Sequence, residues 1–345
     1  MSRVISGGVT LSDVARHAGV SLATASRAIN GSENRVVGEE LRTRVLKSAD
    51  LLGYAPDANA QAMVKGATRT VGVALHDLSD PYFAAIAEGL GSAADERGLF
   101  LTLASTSNRP EQVPLVVNSL DSLRVRAMVL VGGRWRDHAA SDALQGAIAR
   151  YTRRGGRVVA VGAEFAGIDC VTIDNAGGAD AIAEFLVGQG YRRPIVLTGP
   201  ERHSTSAVRA TALITGFKDR GVAVPPSHRL ASDFTRSGGA SAMRLACESR
   251  IEGDVVVATN DVMAIGAMGE ARSQGIRVPE ELAFAGFGDV EWARDLVPPL
   301  TTVRVPTREM GRRGVELAID GPGDGSGTVL LPLEVMGRAS TPRRG

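Results

Sequence analysis

A chain of 345 residues with 44% hydrophobic and 22% charged positions is too long for one small core and too apolar to be disordered, so two or three compact soluble units are expected. Its net charge of +1 carries no signature of a nucleic-acid or membrane surface, and the first 66 residues hold only eight Lys or Arg against six Asp or Glu. The opening MSRVISGGVT lacks the apolar centre of a secretory signal, and no run reaches the roughly 18 apolar residues of a membrane span, so a cytoplasmic protein with no membrane partner is expected. Cys170 and Cys247 lie far apart in apolar runs, which reads as buried free thiols in a reducing compartment.

Taken in chain order, the first pattern is VTLSDVARHAGVSLATASRAIN, residues 9–30. Thr10 followed by Asp13 forms a capping-box-like start, and Leu11, Val14, Ala15 and Ala18 make one apolar stripe over two turns. Gly19 permits a sharp turn, and Ser21 can cap a second helix that buries Ala25, Ala28 and Ile29. A third helix, EELRTRVLKSADLLGY, closes a small core with Leu41, Val45, Leu46, Ala49 and Leu52. Two helices joined by a tight glycine turn form a helix-turn-helix, whose second helix enters the major groove of DNA. The face it presents has the chemistry for this. Arg27 can grip guanine O6 and N7 through two hydrogen bonds, and Leu22 and Ala23 can lie against thymine methyls. Thr10, Ser21, Thr24, Ser26 and Asn30 supply polar contacts, chiefly to phosphate.

Residues 54–70, YAPDANAQAMVKGATRT, read as a linker holding a helix of about nine residues between Pro56 and Gly66. A helix that short needs a partner to hold it. From residue 70 the pattern becomes short β-branched runs alternating with helical stretches. Strands are expected at 70–76, 99–105, 126–132, 157–162, 192–199, 254–259, 282–287 and 301–305. Between the first two lies a helix whose apolar positions are Phe83, Ile86, Ala87, Leu90 and Ala94. Apolar strands separated by helices imply parallel sheets covered on both faces, and the rhythm pauses at 163–175. The fold class expected is therefore an α/β core of two doubly wound parallel-sheet subdomains preceded by an all-α helix-turn-helix domain, with ligands beyond the carboxyl ends of the strands. After a loop at 321–328, one last strand, VLLPLEVM, precedes a loose basic end, RASTPRRG, and no leucine heptads follow.

Enzymatic function is not expected. The first strand leads into no GxGxxG turn, no GKS, GKT or GxSxG motif occurs, and the five histidines have no metal-ligand spacing, so neither metal nor cofactor is anticipated. An exported solute-binding protein would suit the core alone, but the N-terminal unit and the absence of a signal argue against it.

The ordered motifs GY-A-P (53–56), LSDPYF (78–83), TIDN (172–175), LTGP (197–200), TNDVMAIGAM (259–268), VPEELAFAGFGD (278–289), PPLTTVRVP (298–306) and EMGRRGVEL (309–317) join the opening stretch across the whole chain. With them the sequence resembles the LacI/GalR family of bacterial transcription regulators, whose core is periplasmic-binding-protein-like. The resemblance implies a DNA-binding domain at 1–55, a hinge at 56–69 and a core at 70–345. It divides the core into one lobe of 70–165 plus 302–325 and another of 166–300 plus 326–342. It further implies a homodimer on a near-palindromic double-stranded operator, acting as a repressor, with hinge helices paired in the minor groove. The hinge contacts would be Asn59, Ala60, Gln61, Met63, Val64 and Lys65, with Met63 replacing the usual leucine as the wedge that opens a base step.

A small-molecule effector is implied between the lobes, with Asp80, Tyr82, Phe83, Arg209, Asn260, Asp261 and Asp289 as cleft candidates. Three charged groups that sugar-binding relatives usually carry are missing, the matching positions being Gly162, Thr211 or Leu213, and Gly288. Buried hydroxyls need placed polar partners, so the effector is expected not to be a simple monosaccharide. Arg209 lies two residues upstream of the nearest family position, and is expected to substitute only through a shifted helix register.

Overall fold

A computed structural model describes residues 9–30, 37–55, 68–165, 167–322 and 327–344. The chain divides into a unit of residues 1–68 and a unit of residues 69–345. The hinge positions Asn59, Ala60, Gln61, Met63, Val64 and Lys65 lie outside the described residues.

The first unit contains α1 (Leu11–Ala18), α2 (Leu22–Asn30) and α3 (Glu39–Leu52). Thr10 and Asp13 form a complete capping box at α1, and Gly19 adopts a left-handed φ of 64°, so the chain turns sharply into α2. Val14, Ala15, Ala18, Ala25, Ala28 and Val45 form the buried core. The expected stripe on α3 needs correcting: Leu41 and Leu46 are exposed, whereas Val45 and Ser48 are buried and Ala49 and Leu52 pack beside them. Residues 41, 45, 48, 49 and 52 share one helix face, but Leu41 lies in the exposed first turn, and Leu46 falls off that face. Ser48 is accommodated by donating its hydroxyl to the carbonyl of Arg44 at 2.9 Å.

The second unit contains two parallel sheets. Its first sheet is built from β1 (Thr70–Leu75), β2 (Phe100–Ser105), β3 (Ala127–Val131), β4 (Arg157–Val161), β5 (Asp169–Ile173) and β11 (Thr328–Leu331), in the order β11-β5-β4-β3-β1-β2. Its second sheet is built from β6 (Pro194–Thr198), β7 (Arg229–Ala231), β8 (Val255–Ala258) and β9 (Ala283–Ala285), in the order β7-β6-β8-β9. β10 (Thr302–Arg304) and β12 (Glu334–Met336) pair antiparallel as a separate two-stranded ribbon.

Eight helices among the described residues of this unit cover the sheets: α4 (Pro81–Asp95), α5 (Gln112–Ser122), α6 (His138–Arg153), α7 (Asn175–Gly188), α8 (Ser204–Asp219), α9 (Arg236–Glu248), α10 (Asp261–Ser273) and α11 (Thr307–Ile319). α4 and α11 approach closely because Gly89 and Gly311 face each other's backbones; a Cβ on Gly89 would stand 2.0 Å from the carbonyl oxygen of Arg308.

Three expectations are corrected. β5 and β11 hydrogen-bond in the first sheet, so Asp169–Ile173 and Thr328–Leu331 belong to that lobe and not to the second, where the resemblance placed them. β5 fell in the apparent pause because it is short and begins on a charged residue. The single final strand is two, broken at Pro332, which has no N–H to continue a ladder. The end of the chain is anchored rather than loose: Ser340 is fully buried and donates its hydroxyl to the carbonyl of Phe284 at 2.6 Å, while accepting from Thr301 N at 2.8 Å. Cys170 is buried and Cys247 half-buried, and both are free thiols. No helix among the described residues is long and apolar enough to cross a membrane.

Candidate effector cleft and DNA-binding face

In the first unit, Ser21 accepts from Thr24 N at 3.2 Å and shares a 2.8 Å hydrogen bond with the Thr24 hydroxyl, so both side chains start α2. Thr10 is likewise engaged, donating its hydroxyl to Asp13 at 2.6 Å. Leu22 and Ala23 are exposed, Ser26 and Arg27 half-buried, and Asn30 Nδ2 reaches the Ser26 hydroxyl at 3.3 Å. The face offered by α2 thus combines exposed small apolar groups with one guanidinium.

In the second unit, β1 connects to β2 on one side and the chain then crosses to β3 on the other, which opens a crevice at the carboxyl ends of β1 and β3. A cleft encloses ≈ 780 Å³ of empty space there, part of it open to solvent. Asp80, Tyr82, Phe83, Arg209, Asn260 and Asp261 all line it.

Asp80 caps α4 by accepting from Tyr82 N at 2.9 Å, and burial pushes its carboxyl up to about 6. Asn260 caps α10, accepting from Met263 N at 2.9 Å and donating to the carbonyl of Phe234 at 3.3 Å. It therefore both starts its helix and walls the cleft. Asp261 is buried and accepts from the Thr302 hydroxyl at 2.5 Å and Val290 N at 2.9 Å; burial still raises its carboxyl to about 6.

Arg209 is buried, and its guanidinium is fixed on three sides. Nε donates to Asn175 Oδ1 at 2.7 Å, Nη1 donates to the carbonyl of Thr259 at 2.9 Å, and the guanidinium carbon stands 3.7 Å from the ring centroid of Phe287. Burial lowers it to about 10, so it remains a cation at neutral pH. Nη2 has no protein acceptor among the described residues, which leaves donors for a bound molecule. No register shift was needed: Thr205 and Arg209, one helical turn apart on α8, line the cleft, while Leu213 turns into the core and Thr211 to solvent.

Asp289 does not line the cleft. Its side chain is 1% exposed and is bound by Arg338 at 2.5 Å, Arg304 at 2.7 Å and Arg294 at 3.3 Å. Its backbone takes a left-handed φ of 54°, and burial works against the arginine hydrogen bonds that hold its carboxyl below its ordinary value.

Further lining residues had no signal as binding groups in the sequence. His76 and His203 are buried and belong to one aromatic cluster, with His76 5.6 Å from Phe83 and His203 5.0 Å from Trp135 and 5.1 Å from Phe234, centroid to centroid. Burial lowers His76 to about 4 and His203 to about 3, so both are neutral, and His203 Nδ1 has no partner among the described residues. Gly162 and Gly288 do line the cleft, placing bare backbone where charged side chains were missed. Among the described residues, no group of histidine, cysteine and carboxylate side chains is arranged to hold a metal.

A three-helix unit that presents exposed Leu22 and Ala23 beside Arg27, and a two-lobed α/β core with a cleft lined by aromatic and charged side chains, have the make-up of a DNA-binding transcription regulator. Residues 10–57 match the family described as "Bacterial regulatory proteins, lacI family", and residues 183–341 match a "Periplasmic binding protein-like domain". The chain is 30% identical to the HTH-type transcriptional repressor CytR of Escherichia coli K12 over 338 residues, covering 96% of each. It is 31% identical to the HTH-type transcriptional regulator GalS of Salmonella typhimurium, covering 91% of this chain and 90% of that protein. Among solved structures, a CelR–cellobiose complex matches at 29% identity with a TM-score of 0.69, covering 96% of this chain and 99% of that one. The Lac repressor dimer bound to operator and the anti-inducer ONPF shares the fold at 24% identity with a TM-score of 0.82, covering 97% of this chain and all of the other. The protein belongs to the lacI family of bacterial regulatory proteins.

Proposed function

We propose that the protein is a homodimeric repressor that binds a near-palindromic operator and is controlled by a small molecule held between the lobes of its core. The observation that carries this reading is the α2 face, with exposed Leu22 and Ala23 beside Arg27, on a unit that matches the family's DNA-binding segment. Thr10, Ser21, Thr24, Ser26 and Asn30 serve as its phosphate-side contacts. Residues 1–55 form the DNA-binding domain and residues 56–69 the hinge. A helix of the length the sequence implies for the hinge would need a second copy to hold it, which favours a two-fold protein on a two-fold site. Repression agrees with the role of relatives such as the repressor CytR and the ribose operon repressor of Escherichia coli K12, and steric blocking of a promoter needs no additional surface.

The effector is a flat, acceptor-bearing molecule rather than a simple monosaccharide. The aromatic walls of Tyr82, Phe83, His203 and Phe234 and the donors left on Arg209 favour it. Gly162 and Gly288 present no charged group to a ring of hydroxyls. The effector acts by favouring one arrangement of the two lobes, since a ligand with equal affinity for both arrangements shifts nothing. Selection of sites from a random DNA pool, with and without cell metabolites, tests the whole reading. A palindromic consensus whose enrichment changes with a metabolite fraction is expected. Absence of any sequence preference at moderate salt would overturn it, and calorimetry showing micromolar affinity for a simple sugar would remove the effector part.

A further inference from the structure

The chain enters its second unit at Arg69 and at once begins β1, and Arg126 is hydrogen-bonded to that start, its N–H donating to the Thr70 carbonyl at 2.8 Å. Beside this point of entry, segments 118–126 and 150–154 carry five arginines, Arg124, Arg126, Arg150, Arg153 and Arg154, against one carboxylate, Asp121. The balance is +4 in a chain whose net charge is +1. Three contacts join the segments into one patch. The Tyr151 hydroxyl donates to the Val125 carbonyl at 2.7 Å, Arg150 donates to Asn118 Oδ1 at 2.9 Å, and Arg154 meets Asp121 at 2.5 Å. All five arginines are exposed. On the α4 and α11 side of the same lobe the arginines are neutralised, Arg97 by Asp320 at 2.6 Å, Arg308 by Glu88 at 2.8 Å and Arg312 by Glu96 at 2.6 Å. In the patch, by contrast, Arg150 is bound by a neutral amide, and Arg126 and Arg153 have no ion-pair partner among the described residues. Arg150 and Arg153 offset the dipole at the C-terminus of α6, but Arg126 precedes β3 and answers to no helix end.

Clustered like charges repel one another, so such a patch gains from an anion laid over it, and the anion already tied to this chain is DNA. The chain from residue 55 to residue 68 can span at most about 45 Å, which tethers the patch close to whatever duplex the helix-turn-helix unit holds. That reach exceeds one turn of duplex, about 34 Å. We propose that the patch is a second DNA contact, in which Arg126 and Arg153 meet phosphates of the duplex beside each half-site. Contacts of this kind read no bases; they lengthen the footprint and steepen the salt dependence of binding. The inference rests on DNA binding by the first unit and is independent of the effector.

Binding of the full-length protein is measured by anisotropy on duplexes of roughly 40 base pairs, carrying either a selected operator at the centre or a scrambled sequence, and on the operator trimmed to its palindrome. The variants are Arg126→Ala with Arg153→Ala, and Arg126→Lys with Arg153→Lys, with circular dichroism checking the fold. Two phosphate contacts in each protomer should make the wild type lose at least about tenfold more affinity than the alanine variant between about 50 and 200 mM salt, on both long duplexes. The wild type should favour the long operator duplex over the trimmed one. The alanine variant should bind the two about equally, and the lysine variant should follow the wild type. If the double alanine variant does not fold, Arg126→Ala alone carries the comparison, with about a threefold difference. Equal salt dependence of wild type and alanine variant, or equal affinity of the wild type for long and trimmed duplexes, would overturn the proposal and leave the patch to an acidic protein surface. A lysine variant as weak as the alanine one would overturn it too, since the patch would then not act through its charge. Failure of the wild type to prefer operator over scrambled duplex would sink the regulator reading, while the salt comparison on the scrambled duplex would still decide this inference.

Discussion

The guanidinium carbon of Arg209 stands over the ring of Phe287, 3.7 Å from its centroid. Stacking on one face and hydrogen bonds to Asn175 and Thr259 on its edge hold a buried cation in one orientation, with Nη2 toward the cleft. A guanidinium suits this role because its planar fork stacks and donates at once, which an ammonium cannot do. Arg209→Lys should therefore keep the positive charge but lose the aimed donors. Effector-dependent change in operator affinity is expected to fall at least about tenfold, the effect of one lost charge-assisted hydrogen bond. Operator affinity without effector should stay within about twofold, as measured by anisotropy on labelled duplex. An unaltered effector response would exclude Arg209 from the binding role.

A second prediction concerns pH, because the cleft holds two pairs of groups displaced in opposite directions. His76 and His203, ordinarily near 6.5, are lowered to about 4 and about 3 by burial. Below pH 6.5 the unfolded chain takes up protons there and the folded one does not, so their contribution to stability falls on acidification. Asp80 and Asp261, ordinarily near 3.8, are raised to about 6 by burial. Below pH 6 the folded chain takes up protons first, so their contribution to stability rises on acidification until about pH 4. Each displacement is worth on the order of 3 kcal/mol and the two pairs oppose each other. The wild type should thus vary little in urea midpoint between pH 7 and pH 5. Asp261→Asn should make the loss on acidification steeper, and His203→Phe should reverse its slope. Parallel midpoint-against-pH curves for wild type and Asp261→Asn would refute the assignment.

Much of this architecture was legible from residue patterns, and the exceptions have physical causes. The apolar runs of β1, β3, β4 and β8 announce buried parallel strands because both their faces are covered. β7 and β5 escaped notice because strands of three and five residues with charged ends have too little pattern to distinguish them from loops. On α3 the facing of Val45, Ala49 and Leu52 was read correctly, but Leu46 was wrongly added and the buried Ser48 missed, because a polar residue on the core face gives no apolar signal. In the cleft, Asp80, Asn260 and Asp261 could be placed because they follow strands at helix starts. His76, His203 and Phe234 could not, because a loop residue that meets others only through tertiary packing leaves no periodic trace.

Asp289 illustrates the limit of reading a site by position. It follows Gly288, which lines the cleft, yet its carboxylate is the hub of three arginines from separate segments, Arg294, Arg304 and Arg338. Asp289→Ala would leave Arg338, itself largely buried, without its anion, and removal of one partner from a buried ionic cluster costs roughly 3–5 kcal/mol. Because Arg294 and Arg304 remain partly in water, the loss should lie toward the lower end of that range. Urea unfolding should show it clearly, while the protein that remains folded keeps its effector affinity. A variant as stable as the wild type would mean that the arginines are held by other contacts.

The last prediction separates the two roles combined on α2. Ser21 starts the helix through its bond from Thr24 N, so Ser21→Ala should lower the stability of the helix-turn-helix unit by about 1 kcal/mol. Operator binding would then weaken for every sequence alike. Arg27 has no hydrogen-bond or ion-pair partner among the described residues, so Arg27→Ala should leave folding unchanged. At a matched operator it should lose roughly 1–3 kcal/mol and relax the preference at a single base pair in each half-site. The contrast is what matters: one substitution scales all affinities together, and the other alters their ratios. Competition among single-base variants of the selected operator reads both, with circular dichroism monitoring the fold. If Arg27→Ala weakened every duplex by the same factor, Arg27 would be a phosphate contact, and base discrimination would have to come from Leu22 and Ala23 alone.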